Sequence, residues 1–170
     1  MNRFADYFSN YVNDDTITYI GNGDITSFTV SRQDRELAVG LNLESFIDYS
    51  IIENSQNQIA RAMELKKVHI NPRFPKSEFS LDNIERILEY VRHESPAANG
   101  FFDGCEAELE DRTLTLCLKK GGKDVLESQK VDRAIANKIY ELFDLDFVVI
   151  FLEVQAFDIE KAVQKAVEER

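Results

Sequence analysis

The 170-residue chain has no tryptophan, two cysteines, two histidines and three prolines. Each scarcity closes off a class of function. Cys105 and Cys117 are isolated thiols with neither zinc-ligand spacing nor a disulfide framework, so buried, reduced cysteines of a cytoplasmic protein are the plainer reading. His69 and His93 fall on different segments and supply no pair for a metal or a proton relay; a satisfied surface or strand-edge histidine is the commoner role. The longest apolar run, Phe147 to Leu152, falls far short of the roughly 18–20 residues that span a bilayer. The opening MNRFADYFSNY lacks the apolar core of a secretory signal. No P-loop, G-x-S-x-G, H-E-x-x-H or C-x-x-C motif occurs. Accordingly no catalytic, cofactor-binding or metal-binding residue is assigned, and neither a membrane nor a small-molecule substrate is expected.

What is present describes a soluble, globular α+β chain. Hydrophobic residues make up 44% and charged residues 30%, and twelve phenylalanines and six tyrosines provide core volume. The net charge is −11. Residues 1–75 carry 7 basic and 10 acidic groups and the remainder carries 13 and 21, so the acidity is concentrated in the second half. Such a surface repels a phosphate backbone unless cations cluster locally.

Periodicity divides the chain into two units. In the first, residues 1–74, Phe4, Tyr7, Phe8, Tyr11 and Val12 have the spacing of one helix face, ended by Asn13-Asp14-Asp15. A hairpin follows. Thr26, Phe28 and Val30 share a face of one strand, Leu37, Val39, Leu41 and Leu43 a face of the next, and Arg32–Arg35 form the turn. Ser45 caps a helix carrying Ile51, Ile52, Ser55, Ile59, Ala62 and Met63, and a strand with Val68 and Ile70 closes a helix-plus-ββαβ unit. Pro72 and Pro75 mark the boundary.

The second unit, residues 76–154, reads αββαβ. Its first helix is capped by Ser80 and buries Ile84, Ile87, Leu88 and Val91. Ala107 and Leu109 point to one strand, and Leu114, Leu116 and Leu118 to another. A helix over Val131–Phe143 buries Val131, Ile135, Ile139, Leu142 and Phe143. The strand Phe147–Val154 is apolar on both faces near its centre, which predicts cover on both sides. Residues 155–170 begin a charged helix with Ile159, Ala162, Val163, Ala166 and Val167 at helical spacing. No capping residue closes it, so Arg170 reads as an end inside a helix.

Several charged clusters are candidate sites. Glu106, Glu108 and Glu110 alternate along one strand; three carboxylates in a line do not converge on a cation. Asp144 and Asp146 flank a turn, where Asp is common. The cations that can reach a nucleic acid are Arg32, Arg35, Lys66, Lys67 and Arg73 in the first unit, and Lys119, Lys120 and Lys123 around Gly121-Gly122 in the second. A solvated hairpin connection is the commoner role of the lysine loop. The G-X-X-G clamp of nucleic-acid-binding KH domains is absent; Gly100-Phe101-Phe102-Asp103-Gly104 has one residue too many.

The run FADYFSNYVNDD, GDITSFTVSRQDRELAVGLNL and KKVHI resembles the N-terminal region of the PolC-type DNA polymerase III alpha subunit of Gram-positive bacteria. ELEDRTLTLCL, VDRAIANKIYELFDLDFVVIFLEV and the charged segment after it are similar to the next part of that region, so the resemblance covers essentially the whole chain. The second unit also resembles small KH-like domains of the replication initiator and of the tau clamp-loader subunit, which share a "D-x-L-T-L" strand followed by helix and strand. The resemblance implies a non-catalytic docking module of a replicative polymerase, with tau as a candidate partner. The parent's polymerase, 3′–5′ exonuclease and magnesium chemistry would lie downstream, and none of its motifs matches a residue here. A weak single-strand-binding module and a free-standing cytoplasmic adaptor of KH-like fold are the alternatives.

Overall fold

The computed structural model describes residues 2–153 and Val167. It is an α+β fold with two three-stranded sheets, ordered β1-β2-β3 and β4-β5-β6. The chain divides into two compact units, Met1–Ser80 with Ile139–Leu145, and Leu81–Lys138 with Asp146–Arg170.

The first unit opens with two short helices, α1 (Phe4–Phe8) and α2 (Asp14–Ile20). The apolar spacing from Phe4 to Val12 therefore does not form one helix. Phe4 and Phe8 are buried, whereas Tyr7 and Tyr11 are exposed. Asn13-Asp14-Asp15, expected to stop a helix, starts one instead. The Asn13 side chain accepts the Thr16 N–H at 2.9 Å, and both aspartates sit in the positive first turn.

Strands β1 (Asp24–Ser31) and β2 (Glu36–Asn42) form the expected hairpin. A register shift between Ile25 and Ser27 leaves Thr26 as the extra residue, so Thr26 drops out of the face that Phe28 and Val30 share. Helix α3 (Tyr49–Ala62) is N-capped at Asp48, three residues after the expected Ser45. It buries Ile52, Ser55 and Ile59 but leaves Ala62 and Met63 exposed. Strand β3 (Lys67–Arg73) pairs in parallel with β2, Val68 and Ile70 standing beside Leu37 and Val39. Pro72 lies inside this edge strand, a position that tolerates the missing N–H. The Ile70 N–H donates to the Gln56 side chain at 2.8 Å.

The remaining elements are α4 (Ile84–Arg92), β4 (Glu106–Glu110), β5 (Thr113–Leu118), α5 (Lys123–Ser128), α6 (Val131–Phe143) and β6 (Val148–Glu153); all belong to the second unit except the end of α6 from Ile139 onward, which belongs to the first. Helix α4 is N-capped at Asn83, after a 3-10 turn, and not at Ser80. Val131, Ile135, Ile139, Leu142 and Phe143 of α6 are all buried, as their spacing predicts. Helix α5 was not expected; six residues are too few for periodicity to declare them.

Both units share one topology. In each, an antiparallel hairpin is followed by a strand that runs parallel to its second arm. The hairpins carry the same signature, Asp34-Arg35-x-Leu37-x-Val39-x-Leu41 and Asp111-Arg112-x-Leu114-x-Leu116-x-Leu118. The Arg35 carbonyl accepts the Lys66 N–H, and the Arg112 carbonyl accepts the Val148 N–H, each at 2.8 Å. Glu64 and Asp144, with φ of 55° and 56°, turn the chain from helix toward the last strand, and a leucine follows each.

Candidate functional site

The cations of the first unit separate into two places. Arg32 and Arg35 lie in the β1–β2 turn, and Lys66 and Lys67 lead into β3 beside it. The Arg35 guanidinium donates to the Glu64 carbonyl. Four cations thus gather at one end of the sheet, but Asp34, Glu36 and Glu64 stand among them, and Lys67 faces Glu36 across the strands. Arg73 is at the other end of β3, roughly 20 Å away at about 3.3 Å per residue. It donates to the Glu141 carbonyl at 3.4 Å and lies 4.0 Å from Asp144, which Lys76 approaches at 3.8 Å. No single groove joins all five of the expected basic residues.

Two of the three lysines at the Gly121-Gly122 loop are paired through their side chains, and the third, Lys123, is bonded through its backbone. Lys119 bonds Glu106 at 2.9 Å, and this hydrogen bond holds its ammonium above the ordinary lysine value. Lys120 bonds Asp103 at 3.2 Å. The Lys123 backbone N–H donates to Glu153 at 3.3 Å. The lysine loop is not a hairpin connection: it leads from β5 into α5, with Gly121 and Gly122 at φ of 71° and 92°. Among the described residues, no group of three or more His, Cys, Asp or Glu side chains could hold a metal ion.

A different surface emerges from the second sheet. Leu114, Leu116, Leu118, Val149 and Phe151 fill its inner face. The outer face is open. Strand pairing aligns it in three rows: Glu106, Cys117 and Leu152; Glu108, Thr115 and Ile150; Glu110, Thr113 and Val148. Residues paired across strands share a face, so each row runs from a carboxylate through a small side chain to an aliphatic one. Val148, Ile150 and Leu152 are 61%, 42% and 52% exposed. The expectation that both faces of this strand are covered is thereby overturned. Its continuous apolar run resembles a central strand, but β6 lies at the sheet edge with one face packed.

The two cysteines differ in exposure. Cys117 is part-exposed on the outer face, whereas Cys105 is buried. Burial pushes the Cys105 thiol up to about 11, with the neighbouring Cys117 adding to the rise.

No family model and no curated protein sequence matches this chain. Among the described residues no helix is long and apolar enough to cross a membrane.

Proposed function

We propose that this chain is a non-catalytic protein-docking segment of a PolC-type replicative DNA polymerase, working in the bacterial cytoplasm, with the tau clamp-loader subunit as its partner. The resemblance along the chain supplies the polymerase. The observation that carries the docking role is the aliphatic stripe Val148, Ile150 and Leu152 on one edge strand, with Glu106, Glu108 and Glu110 on the opposite edge strand of the same face. Aliphatic side chains along one edge of the sheet supply contact area, and carboxylates along the other edge set orientation. The parent's magnesium-dependent nucleotide transfer, in this reading, belongs to other parts of the polymerase.

Titrating the full chain against purified tau tests the proposal. Binding that weakens at least about tenfold in Ile150→Glu, the 1.4 kcal/mol step of a modest interface residue, supports it. Absence of binding at high micromolar concentration refutes it. The native protein's size is a second check: an immunoblot band several-fold heavier than 19.6 kDa fits a polymerase, and a band at that mass fits a free-standing adaptor.

Single-stranded DNA binding is the second reading, and the gathering of Arg32, Arg35, Lys66 and Lys67 favours it. The three interspersed carboxylates work against it. Fluorescence anisotropy at low salt decides: affinity falling linearly with log salt supports binding, and a flat titration removes it.

A further inference from the structure

The chain contains two Asn-Gly pairs, Asn22-Gly23 and Asn99-Gly100. An asparagine before glycine is open to ring closure, because glycine has no side chain to keep its amide nitrogen from the asparagine side-chain carbon. The fold treats the two pairs differently, and we propose that Asn99 is a site of spontaneous deamidation while Asn22 is protected.

Asn22-Gly23 is held from both sides. The Gly23 N–H donates to the Ile20 carbonyl at 3.0 Å, and the Gly23 carbonyl accepts the Phe4 N–H at 2.9 Å. Gly23 is itself buried, packed against the Leu41 and Leu43 side chains. Its nitrogen cannot reach the Asn22 side chain until these contacts open. Asn99-Gly100 has no such ties. Both residues are exposed, in a turn that follows the 3-10 turn Pro96–Ala98. Among the described residues the Gly100 N–H meets no hydrogen-bond acceptor. A Cβ on Gly100 would touch nothing within 4 Å, so the turn has room to move. Movement is needed, because the Asn99 ψ of 125° is extended and holds the nitrogen away from the side-chain carbon. An exposed, unbonded turn makes that rotation at the low-cost end of local opening.

In the reaction the Gly100 nitrogen loses its proton to a solvent base and bonds to Asn99 Cγ. The Cγ–Nδ2 bond breaks, and the amide leaves as ammonia with a proton from water. Water then opens the succinimide ring at either carbonyl, leaving aspartate or isoaspartate at position 99. Both add a negative charge. Isoaspartate also adds a main-chain carbon between Ala98 and Phe102, whose side chains are fully buried. The connection from α4 to β4 thus carries a mark of the protein's age.

Incubating the full chain in warm, mildly alkaline buffer, with the amide-to-acid mass gain followed by peptide mass spectrometry, tests this. The ties on Gly23 amount to at least one or two ordinary hydrogen bonds, so Asn99 is expected to convert at least about tenfold faster than Asn22 in the folded chain. In denaturing urea the ties are gone, and the two rates are expected to agree within about threefold. Asn99→Gln, an exposed change that lengthens the side chain beyond this ring closure, is expected to remove the fast event and leave Asn22 as slow as before. Equal rates at the two positions in the folded chain overturn the proposal, as does a fast event that persists in Asn99→Gln. A tenfold gap that survives in urea overturns it also, because flanking sequence and not the fold would then set the rates.

Discussion

Replacing Phe143 with alanine tests whether the end of α6 is an anchor of the first unit. Its side chain is fully buried, and its ring centroid lies 5.7 Å from Phe46, 5.8 Å from Phe74 and 5.5 Å from Phe79. The geometries are tilted and edge-to-face, the arrangements that the ring quadrupole favours. Truncating a buried phenylalanine costs about 3–5 kcal/mol in lost transfer energy and cavity formation. Three ring partners place this site in the upper part of that range, about 4–5 kcal/mol, with some of the pairwise ring energy already inside the figure. At roughly 2–4 °C per kcal/mol for a chain of this size, Tm falls by roughly 8–20 °C. Phe143→Leu keeps most of the volume and is expected to lose only about 1.5 kcal/mol. Tyr140, three residues earlier on the same helix, is 51% exposed, and Tyr140→Ala should stay within about 0.5 kcal/mol. Urea unfolding followed by far-UV circular dichroism measures all three. A loss below about 2 kcal/mol for Phe143→Ala, or equal losses at 140 and 143, would refute the reasoning.

Other outcomes follow from particular sites. Gly122→Ala should destabilise by at least about 2 kcal/mol, because φ of 92° strains any L side chain and a Cβ would meet the Phe101 ring at 2.1 Å; a neutral result in urea unfolding would sink this. Cys105 is raised from 9.0 to about 11 in the folded protein, so between those values the unfolded chain has released a proton that the folded chain retains. Its contribution is complete below pH 9 and lost as pH rises toward 11. Cys105→Ala should therefore show a shallower decline of stability over pH 9–11 than the parent chain, and equal slopes would contradict the assignment.

Much of the fold was legible because burial repeats at a fixed period. The alternating Leu114, Leu116 and Leu118 and the helical Val131, Ile135, Ile139, Leu142 and Phe143 each recur at the period of their element, and the structure buries all of them. Local signals were weaker guides. Asn13-Asp14-Asp15 is equally good chemistry for ending one helix and capping the next, and only the Thr16 hydrogen bond distinguishes the two. Helix α5 is a single short element after two left-handed glycines and offers too few apolar positions to register a period. The basic residues were visible as residues but not as a site. The Lys119–Glu106 and Lys120–Asp103 pairs join positions 13 and 17 residues apart, and Arg73 meets Asp144 from 71 residues away.

By itself the sequence determined the α+β class, the hairpins and the inward-facing stripes, since each depends on a repeat of two or about 3.6 residues along the chain. It also determined that the chain is acidic and lacks the familiar catalytic motifs. Only the tertiary structure decided which apolar strand has an open face. FVVIFL reads the same at the centre of a sheet and at its edge, and the difference lies in what packs against it, which residues far apart in the chain must supply.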